Sequence, residues 1–373
     1  MMKIGILKDN KKGERRVAIS PKITKQLIEK GFVVLAEKDA GHNASFKDSD
    51  YEESGAKVES RAVVFKDADI LIKINPFDEE DLKLIDEHHI LISQLYHKSN
   101  TKLIHEIAER GATAFSLDAM PRISRAQEMD VLSSQSNLAG YKAVILGAYE
   151  MTKIFPLMMT AAGTITPSRV LIFGVGVAGL QAIATAKRLG AIVEATDIRL
   201  ETKEQAESLG AKFITVEGDT VDTSEDGYAK VASEEYKKKQ KEAVNKSLFE
   251  ADLVITTAMV PGRKSPVLIT EDQVKQMKNG AVIIDLAAAQ GGNCELSKLN
   301  KTVIANGVKI IGTTIAPESV STNASDLFAK NIYNFISHLT ENAQFKWDFE
   351  DEITRGTCIV KNGVIKQNGI ENG

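Results

Sequence analysis

Three glycines follow a run of apolar residues near the middle of the chain. Residues 170–173 are all apolar, and Gly174, Gly176 and Gly179 come next in the spacing G-x-G-x-x-G. The first glycine permits a tight turn, the second lets the backbone approach a phosphate, and the third allows a helix to pack closely on the strand. Because the N–H groups at the start of that helix attract anions, the pattern predicts a loop that binds a dinucleotide pyrophosphate.

An acidic residue stands at the end of the next predicted strand. The carboxylate of Asp197 can bond the ribose hydroxyls of a dinucleotide and repels a 2′-phosphate, which favours NAD(H) over NADP(H). Arg199 lies two places further on, and a basic residue there can also serve a phosphate. The acidic residue therefore indicates a preference for NAD(H), with the role of Arg199 left open.

The surrounding sequence has the alternating pattern of a parallel sheet with crossover helices. Gly190 and Gly210 stand at the ends of two predicted helices, where a left-handed cap is expected. The alternating strands and helices of this half are predicted at 170–173, 178–189, 192–196, 201–209 and 212–214, and further strands at 253–257, 281–285 and 308–311.

A similar alternation occupies the first third of the chain. Strands are predicted at 3–7, 32–35, 69–74, 90–95 and 113–116, with helices at 21–30 and 101–110. The predicted fold class is therefore α/β, with two Rossmann-like domains whose parallel sheets are separated by a cleft and joined by long crossing helices. Residues 1–130 together with 325–373 are predicted to form a discontinuous N-terminal domain, and residues 131–324 the NAD(H)-binding domain.

Three segments outside the sheets complete this organisation. Residues 135–159 are small or apolar and predict one or two helices. The polar residues 216–245 predict a mobile loop whose lysine-rich second half, from 236 to 241, starts a helix. An amphipathic helix is predicted from Ser325, with apolar residues at Leu327, Ile332, Phe335, Ile336 and Leu339, and we expect it to cross back to the first domain.

Composition excludes several classes of protein. The 373 residues are 43% hydrophobic and 26% charged, with a formal net charge of -4, so we expect no binding to nucleic acid. The two cysteines lack disulfide or metal-ligand spacing, which fits a reducing cytoplasm. The N-terminus lacks the apolar core of a signal peptide, and no apolar stretch is long enough to insert into a membrane. His88 and His89 suggest no metal geometry and are expected to be exposed.

Several motifs give the chain a resemblance to one known family. Residues 121–135 read PRISRAQEMDVLSSQ, and GYAK, TTAMVPG and DLAAAQGGNC follow at 227–230, 256–262 and 285–294. In these motifs the chain resembles the NAD(H)-binding component of proton-translocating NAD(P) transhydrogenase. The resemblance implies a homodimer beside an NADP(H)-binding component and an integral-membrane proton-channel component, at the cytoplasmic face of the inner membrane. It also implies direct hydride transfer between NADH and NADP⁺ held on the partner, without a metal.

The same resemblance assigns roles to individual residues. Arg122, Gln127 and Asp130 would orient the nicotinamide end of NAD(H) and are the residues closest to a catalytic role. An amide suits a ribose or carboxamide, and a guanidinium suits a pyrophosphate. Ser133 would bind in the same loop. Tyr228 resembles a mobile-loop tyrosine that closes over the nucleotide. Positions expected to flank the adenosine or line the nucleotide site are Val177, Asp197, Ile198, Arg199, Gly227, Thr257 and Ala258.

The same two-domain architecture also resembles that of alanine dehydrogenase, which is the main alternative function. Arg16 and Lys73 match its substrate-binding arginine and lysine, although structural ion pairs with acidic neighbours are the favoured interpretation of both. Ala289 stands where that enzyme has an aspartate, and Tyr96 replaces its histidine, with His97 one place away and expected at the surface. Loss of an acid–base group argues against amino-acid oxidation. A non-catalytic NAD-sensing protein is a third possibility, which the polar loop at 122–133 disfavours.

Overall fold

A computed structural model describes residues 1–216, 234–259, 263–313 and 317–366. The chain forms two compact units, one of Met1–Gln135 with Pro317–Gly373 and the other of Ser136–Ala316. The boundary at 135 falls inside one long helix that begins at Val131. Among the described residues, none of the helices has both the length and the apolar character needed to cross a membrane.

Strands are numbered in chain order. They are β1 Lys3–Ile6, β2 Val33–Glu37, β3 Lys57–Glu59, β4 Ile70–Ile72, β5 Ile90–Ser93, β6 Thr113–Ser116, β7 Met158–Thr160, β8 Gly163–Ile165, β9 Arg169–Phe173, β10 Ile192–Thr196, β11 Lys212–Phe213, β12 Leu253–Thr256, β13 Val282–Asp285, β14 Lys301–Ala305, β15 Val308–Gly312, β16 Thr340–Glu341, β17 Gln344–Phe345, β18 Cys358–Lys361 and β19 Val364–Ile365.

Helices follow the same numbering. They are α1 Pro21–Glu29, α2 Asp48–Glu53, α3 Arg61–Asp67, α4 Glu79–Leu82, α5 Thr101–Glu109, α6 Val131–Glu150, α7 Val177–Arg188, α8 Lys203–Ser208, α9 Glu234–Glu250, α10 Glu271–Val274, α11 Ser321–Leu339 and α12 Glu352–Thr357. Short 3₁₀ turns include Ser124–Met129 and Ala288–Gln290.

The first unit is built on an eight-stranded sheet in the order β19-β18-β6-β5-β4-β1-β2-β3. Strands β1 to β6 run parallel, whereas β18 pairs antiparallel with β6 and β19 antiparallel with β18. The chain winds one way from β1 through β2 to β3 and the other way from β4 to β6. The order therefore reverses between β1 and β4, which is where an open α/β sheet leaves a crevice at its carboxyl edge.

The second unit has a seven-stranded sheet in the order β11-β10-β9-β12-β13-β15-β14. All neighbours are parallel except β14, which pairs antiparallel with β15 at one edge. Side chains of β9 and β12 alternate between two buried clusters, with Ile172 and Ile255 on one face and Leu171 and Val254 on the other. Burial on both faces explains why these strands read as continuous apolar runs. The sheet order reverses between β9 and β12.

The predicted α/β class is confirmed, and the sheets are mixed rather than purely parallel because each carries antiparallel edge strands. One element was predicted wrongly. The helix expected across 135–159 ends at Glu150, and an exposed hairpin of β7 and β8 follows. Pro156 prevents a helix from running through the rest of this segment, because a proline inside a helix removes a hydrogen bond and clashes with the preceding turn. The predicted helix at 236–241 is confirmed within α9.

Candidate functional site

The turn after β9 has the backbone geometry that the glycine spacing predicts. Gly174 has φ +92°, in the left-handed region. A Cβ at this position would lie 2.6 Å from Thr257 Oγ1, so neither the conformation nor the space suits a larger residue. The Gly174 N–H donates to the carbonyl of Thr196 at 2.9 Å, which joins the turn to the end of β10.

Gly179 and Gly176 serve different purposes. A Cβ on Gly179 would lie 1.8 Å from the carbonyl oxygen of Gly174, so only glycine allows α7 to start this close to the strand. A Cβ on Gly176 would meet no atom of the described residues within 4 Å. Gly176 is the N-cap of α7 and provides no side-chain cap. No side chain caps the start of α7, and there is space beside Gly176, an arrangement that fits a pyrophosphate at the helix N-terminus.

Both oxygens of the Asp197 carboxylate accept hydrogen bonds. Oδ2 accepts from the Val175 N–H at 2.7 Å and from Arg199 Nη2 at 3.0 Å, while Oδ1 accepts from the Arg199 N–H at 2.9 Å and its Nε at 3.0 Å. Burial by itself raises the pKa of this carboxyl, but the hydrogen bonds and charge of Arg199 outweigh it and the pKa is lowered. Asp197 is thus an anion that ties the glycine turn to the end of β10.

Two apolar side chains beside this carboxylate are open to solvent. Ile198 is 96% exposed and Val177 is 39% exposed, although both lie close to a well-packed sheet. Exposed apolar side chains of this kind would provide a surface on which an adenine ring could rest. Their predicted contact with adenosine stays a prediction.

The loop after β12 lies against the same glycine turn. The Thr257 hydroxyl donates to the carbonyls of Phe173 and Gly174, at 3.2 and 3.0 Å. Asn293 fixes the next residue, because its Oδ1 accepts from the Ala258 N–H at 3.0 Å and its Nδ2 donates to the Ala258 carbonyl at 2.9 Å. The carboxyl ends of β9, β10 and β12 therefore bring together Gly174, Gly176, Val177, Gly179, Asp197, Ile198, Arg199, Thr257 and Ala258.

Asp285 and Asn293 are positioning residues that the sequence analysis did not identify. Asp285 is fully buried at the end of β13, and its carboxylate accepts from the N–H groups of Ala287, Asn293 and Cys294, at 2.9, 2.8 and 3.0 Å. The carboxylate therefore orders the loop that carries Asn293. A signal was present in the sequence, since an aspartate that ends an otherwise apolar strand must find hydrogen-bond donors inside the protein.

The loop predicted to hold the nicotinamide belongs to the other unit. Arg122 and Gln127 are exposed. Asp130 caps α6, because its two carboxylate oxygens accept from the Ser133 N–H at 3.0 Å and the Ser133 hydroxyl at 2.5 Å. Asp130 and Ser133 therefore have a structural task whether or not they bind a nucleotide, and the binding roles of all four residues stay predictions.

Side chains of α11 hold this loop in place. Asn331 and Asn334 both donate to the carbonyl of Glu128, at 2.8 and 3.1 Å, and the Ser134 hydroxyl donates to Asn331 Oδ1 at 2.7 Å. Asn331 is buried and thus joins the end of the loop to the first turn of α6. The backbone of the loop is anchored, while Arg122 and Gln127 extend from it into solvent.

Ion pairs occupy the residues that match the amino-acid site of alanine dehydrogenase. Arg16 donates through Nε and Nη2 to the two carboxylate oxygens of Glu14, at 2.7 and 2.6 Å. Lys73 is 1% exposed and lies 2.8 Å from the carboxylate of Asp81. The predicted structural pairing of both basic residues with acidic neighbours is confirmed. Their charges are already balanced by carboxylates of this chain.

Two predictions about histidines were wrong. His97 is buried, with 5% of its surface exposed, rather than at the surface, while Ala289 is exposed in a 3₁₀ turn. His89 is also buried, and its nitrogens lie 3.0 Å from the Asp86 N–H and 2.7 Å from the Phe65 carbonyl. Burial lowers the pKa of His89. Ligand atoms of Asp86, His88 and His89 lie within 4.8 Å of one another, a closeness that the sequence did not suggest.

Two predicted residues, Gly227 and Tyr228, lie outside the described residues, as does the 260–262 segment of the motif after β12. The predicted mobile loop from 216 lies mostly outside them too. The described portion of the second unit nevertheless contains the glycine turn, Asp197 and the Thr257–Ala258 loop, which lie together at the carboxyl edge of the sheet.

Comparisons with known proteins agree with this geometry. The alanine dehydrogenase/PNT N-terminal domain family matches residues 5–139, and the C-terminal domain family matches residues 143–368. Over 374 residues the chain is 51% identical to an NAD(P) transhydrogenase alpha subunit of Rhodospirillum rubrum, in an alignment that covers 98% of this chain and 97% of the relative. A solved transhydrogenase structure from Sinorhizobium meliloti has a TM-score of 0.89 and 40% identity, and covers 98% of this chain and 100% of that chain.

A more distant relative is an alanine dehydrogenase, the enzyme of the alternative function. Alanine dehydrogenase 2 of Staphylococcus aureus is 31% identical over 295 residues, which cover 78% of this chain and 73% of the relative. Identity and coverage are both higher for the transhydrogenase, so the resemblance read from the motifs is confirmed. The chain belongs to the alanine dehydrogenase/PNT family and, within it, to the NAD(P) transhydrogenase alpha subunits.

Proposed function

We propose that this chain is the NAD(H)-binding subunit of a proton-translocating transhydrogenase. It would exchange hydride directly between NADH and NADP⁺ held on a partner subunit, in a reaction coupled to proton movement. The membership in the transhydrogenase alpha subunits supports the activity. The uncapped start of α7 beside Gly176, with Asp197 at the end of β10, supports the cofactor.

One observation carries the choice between hydride exchange and amino-acid oxidation. Position 289 holds an exposed methyl group where the dehydrogenase has an aspartate, so no acid–base group is present there. The ion pairs of Arg16 and Lys73 agree, because a substrate carboxylate would have to displace Glu14 or compete with Asp81. A buried charge that loses its partner is costly, which makes that exchange unfavourable.

The chain's own residues would act by position. When bound, the nicotinamide supplies the hydride, and hydride exchange needs two rings held within about 3 to 3.5 Å. Gln127 would orient the carboxamide through its amide, and Arg122 would donate to pyrophosphate oxygens. Asp130, already bonded to Ser133, would hold the start of α6 beside them. Substitutions at these residues should therefore change the rate through orientation rather than through a shifted pKa.

The proposed assembly follows from the family. We propose a homodimer that associates with an NADP(H)-binding component and an integral-membrane proton-channel component, peripherally on the cytoplasmic face of the inner membrane. The sequence carries one dinucleotide motif, at 174–179, so NADP(H) has to be supplied by the partner. The net reaction is NADH plus NADP⁺ to NAD⁺ plus NADPH, driven by inward proton movement.

A reconstitution experiment tests this proposal. The purified chain is mixed with an NADP(H)-binding transhydrogenase component, with the partner alone as control. Because NADH and NADPH absorb alike, transfer from NADH to NADP⁺ is followed by separating the nucleotides chromatographically and quantifying NADPH. We expect transfer that requires both proteins. Tight NADH binding without any transfer would reject the proposal. Reduction of NAD⁺ by the chain alone in the presence of L-alanine would favour the dehydrogenase instead.

A further inference from the structure

A line of hydrogen-bonded side chains runs through the first unit from a buried arginine to the loop that carries Gln127. Arg16 Nη1 donates to Gln135 Oε1 at 2.9 Å, and both side chains are buried. Gln135 Nε2 in turn donates to the Ser134 hydroxyl at 3.3 Å and to the carbonyl of Ala324 at 3.1 Å. Arg16 therefore contacts the start of α6 as well as its ion-pair partner.

The line continues from Ser134 into α11. The Ser134 hydroxyl donates to Asn331 Oδ1 at 2.7 Å, and Asn331 Nδ2 donates to the carbonyl of Glu128 at 2.8 Å. Glu128 follows Gln127 in a 3₁₀ turn, and every member of the line belongs to the first unit. The side chains of this polar network are those of Arg16, Gln135, Ser134 and Asn331.

The direction of the hydrogen bonds is fixed at both ends of the polar network. A guanidinium can only donate hydrogen bonds and a backbone carbonyl can only accept them, whereas a carboxamide has one end of each kind. Because Arg16 bonds the amide oxygen of Gln135, the amide nitrogen of Gln135 faces the Ser134 hydroxyl. A rotated amide would turn its nitrogen towards the guanidinium, where two donors would meet. Arg16 therefore sets the orientation of the next member.

The same reasoning applies to Ser134 and Asn331. The Ser134 hydroxyl has a single proton, and its acceptors are Asn331 Oδ1 at 2.7 Å and the Val131 carbonyl at 3.1 Å. The shorter contact engages the amide oxygen of Asn331 and leaves its nitrogen for the loop carbonyl. Asn334 donates to the same carbonyl but is only partly buried, so water can replace its bond. Asn331 is thus the buried anchor of the loop.

We propose that Arg16 is a positioning residue for hydride transfer, which acts through the polar network on the backbone beside Gln127. This role rests on the proposed function and deepens it. A displacement of about 1 Å in the groups that orient the two rings can cost a large part of the rate. The phosphate loop and Asp197 belong to the other unit, so loosening the network should lower the rate of transfer more than the affinity for NADH.

Variants that keep the side-chain shape but remove a donor test the proposal. Gln135→Glu still accepts from Arg16 but cannot donate to Ser134, and Asn331→Asp cannot donate to the loop carbonyl. Each protein is loaded with NADH and mixed with the partner component loaded with NADP⁺, and NADPH is quantified by chromatography after quenching. We expect transfer at saturating NADH to slow by about threefold to tenfold, the effect of one lost hydrogen bond, while the dissociation constant of NADH changes by less than about twofold.

A double-mutant cycle connects Arg16 itself to the loop. Arg16→Met alone would leave Glu14 buried without the guanidinium, so Glu14→Gln is combined with it to remove both charges. This pair should slow transfer by the same factor, and adding Asn331→Asp should cost less than about twofold more, because both changes break one network. Two full and independent losses would overturn the inference. If the charge-free pair does not fold, Gln135→Glu takes its place in the cycle and leaves the ion pair intact.

Lys73→Met is the matched control, because it breaks another buried ion pair of the first unit. It should lower the melting temperature, yet leave the rate of transfer at saturating NADH within about twofold of the original. A loss of rate in this control as large as in the network variants would show that the rate follows stability alone, which would reject a positioning role.

Amide hydrogen exchange in the ligand-free protein separates this role from the proposed function. The Ala126 and Asp130 N–H groups make backbone hydrogen bonds within the loop, and they should exchange at least about threefold faster in the network variants. Failure of the intact protein to transfer hydride would reject the proposed function, while exchange would still show whether Arg16 orders the loop. Transfer at the original rate in the network variants would reject only the role of Arg16.

Discussion

A single methyl group added to the glycine turn should separate nucleotide binding from folding. Gly176 and Gly179 lie one helical turn apart. An added Cβ at Gly176 has no atom of the described part of the chain within 4 Å, whereas at Gly179 it lies 1.8 Å from the Gly174 carbonyl oxygen. Gly176→Ala should therefore remove binding from a folded chain. Gly179→Ala should damage the fold of the second unit as well.

The effect of Gly176→Ala on stability can be worked out from its backbone. Gly176 has φ -87° and ψ -167°, an extended conformation that alanine adopts without strain. Alanine is a poorer N-cap than glycine by up to about 1 kcal/mol. Restricting the unfolded chain returns about 0.4–1 kcal/mol. The two effects nearly cancel, so the melting temperature should change by less than about 3 °C.

The effect on binding is much larger. The new methyl group would stand in the space in front of the first N–H groups of α7, where a pyrophosphate would lie. Losing one hydrogen bond to a charged phosphate costs about 1.5–3 kcal/mol of binding free energy. This loss raises the dissociation constant by about tenfold to a hundredfold. Gly179→Ala should show the same loss together with overpacking of about 1–3 kcal/mol or more.

Two measurements on the ligand-free chain and its NADH complex test this reasoning. Thermal unfolding by circular dichroism reports the fold, and titration of NADH fluorescence reports binding. Gly356→Ala in α12 is the matched control, because its Cβ would lie 3.6 Å from the nearest atom, an ordinary contact, and should leave NADH affinity unchanged. A Gly176→Ala chain that binds NADH within twofold of the original would refute the assignment of the phosphate loop.

Four other outcomes are expected. Asn293→Ala removes the side chain that bonds the N–H and carbonyl groups of Ala258. The free energy of unfolding, measured by urea titration, should therefore fall by about 2 kcal/mol, and NADH affinity should fall as well. Unchanged NADH affinity would contradict the positioning role of Asn293. Lys73→Met should cost about 3 kcal/mol, at the low end for a broken buried pair because Arg61 still contacts Asp81. Stability should also fall with acid. Burial raises the pKa of Glu14, but the hydrogen bonds and charge of Arg16 and the hydrogen bond of Asn75 outweigh burial, and the pKa is lowered from 4.5. As the pH falls, the unfolded chain therefore binds this proton before the folded chain does. The stability that Glu14 contributes above about pH 5 is lost as the pH falls below that value. Urea midpoints between pH 7 and 3 should fall less steeply in Glu14→Gln. Gln127→Asn should slow hydride transfer to a partner far more than it weakens NADH binding, and a proportional loss in both would argue against an orienting role.

The dinucleotide half of the fold was predictable because its signals are local. Strand β9, the glycine turn and α7 occupy adjacent stretches of sequence, and each glycine has a short-range reason to be there. Gly190 and Gly210, with φ +90° and +86°, cap helices as expected. Such features depend on backbone conformation within a few residues, and single-sequence patterns report them directly.

Features that depend on distant partners were missed or misjudged. His89 was expected to be exposed, but its environment is set by Phe65, which lies on another element. Asn293 acts on Ala258, which lies 35 positions earlier in the chain. The pairing of strands brings these residues together, and composition and periodicity carry no information about which partner meets which.

The two basic residues that match the dehydrogenase show why the choice of activity needed the structure. A sequence match at Arg16 and Lys73 does not by itself distinguish a substrate site from a structural ion pair, although the ion pair was the favoured interpretation. In the first unit, Lys73 follows β4, at the carboxyl edge beside the reversal of strand order where an α/β sheet leaves room for a ligand. Here Asp81 lies against Lys73, and Glu14 lies against Arg16. Retained basic residues therefore do not imply a retained substrate, because their charges already serve the stability of the first unit. In the second unit, by contrast, an added Cβ on Gly176 would meet no atom of the described residues within 4 Å, and this open space at the start of α7 supports the proposed nucleotide site at the glycine turn.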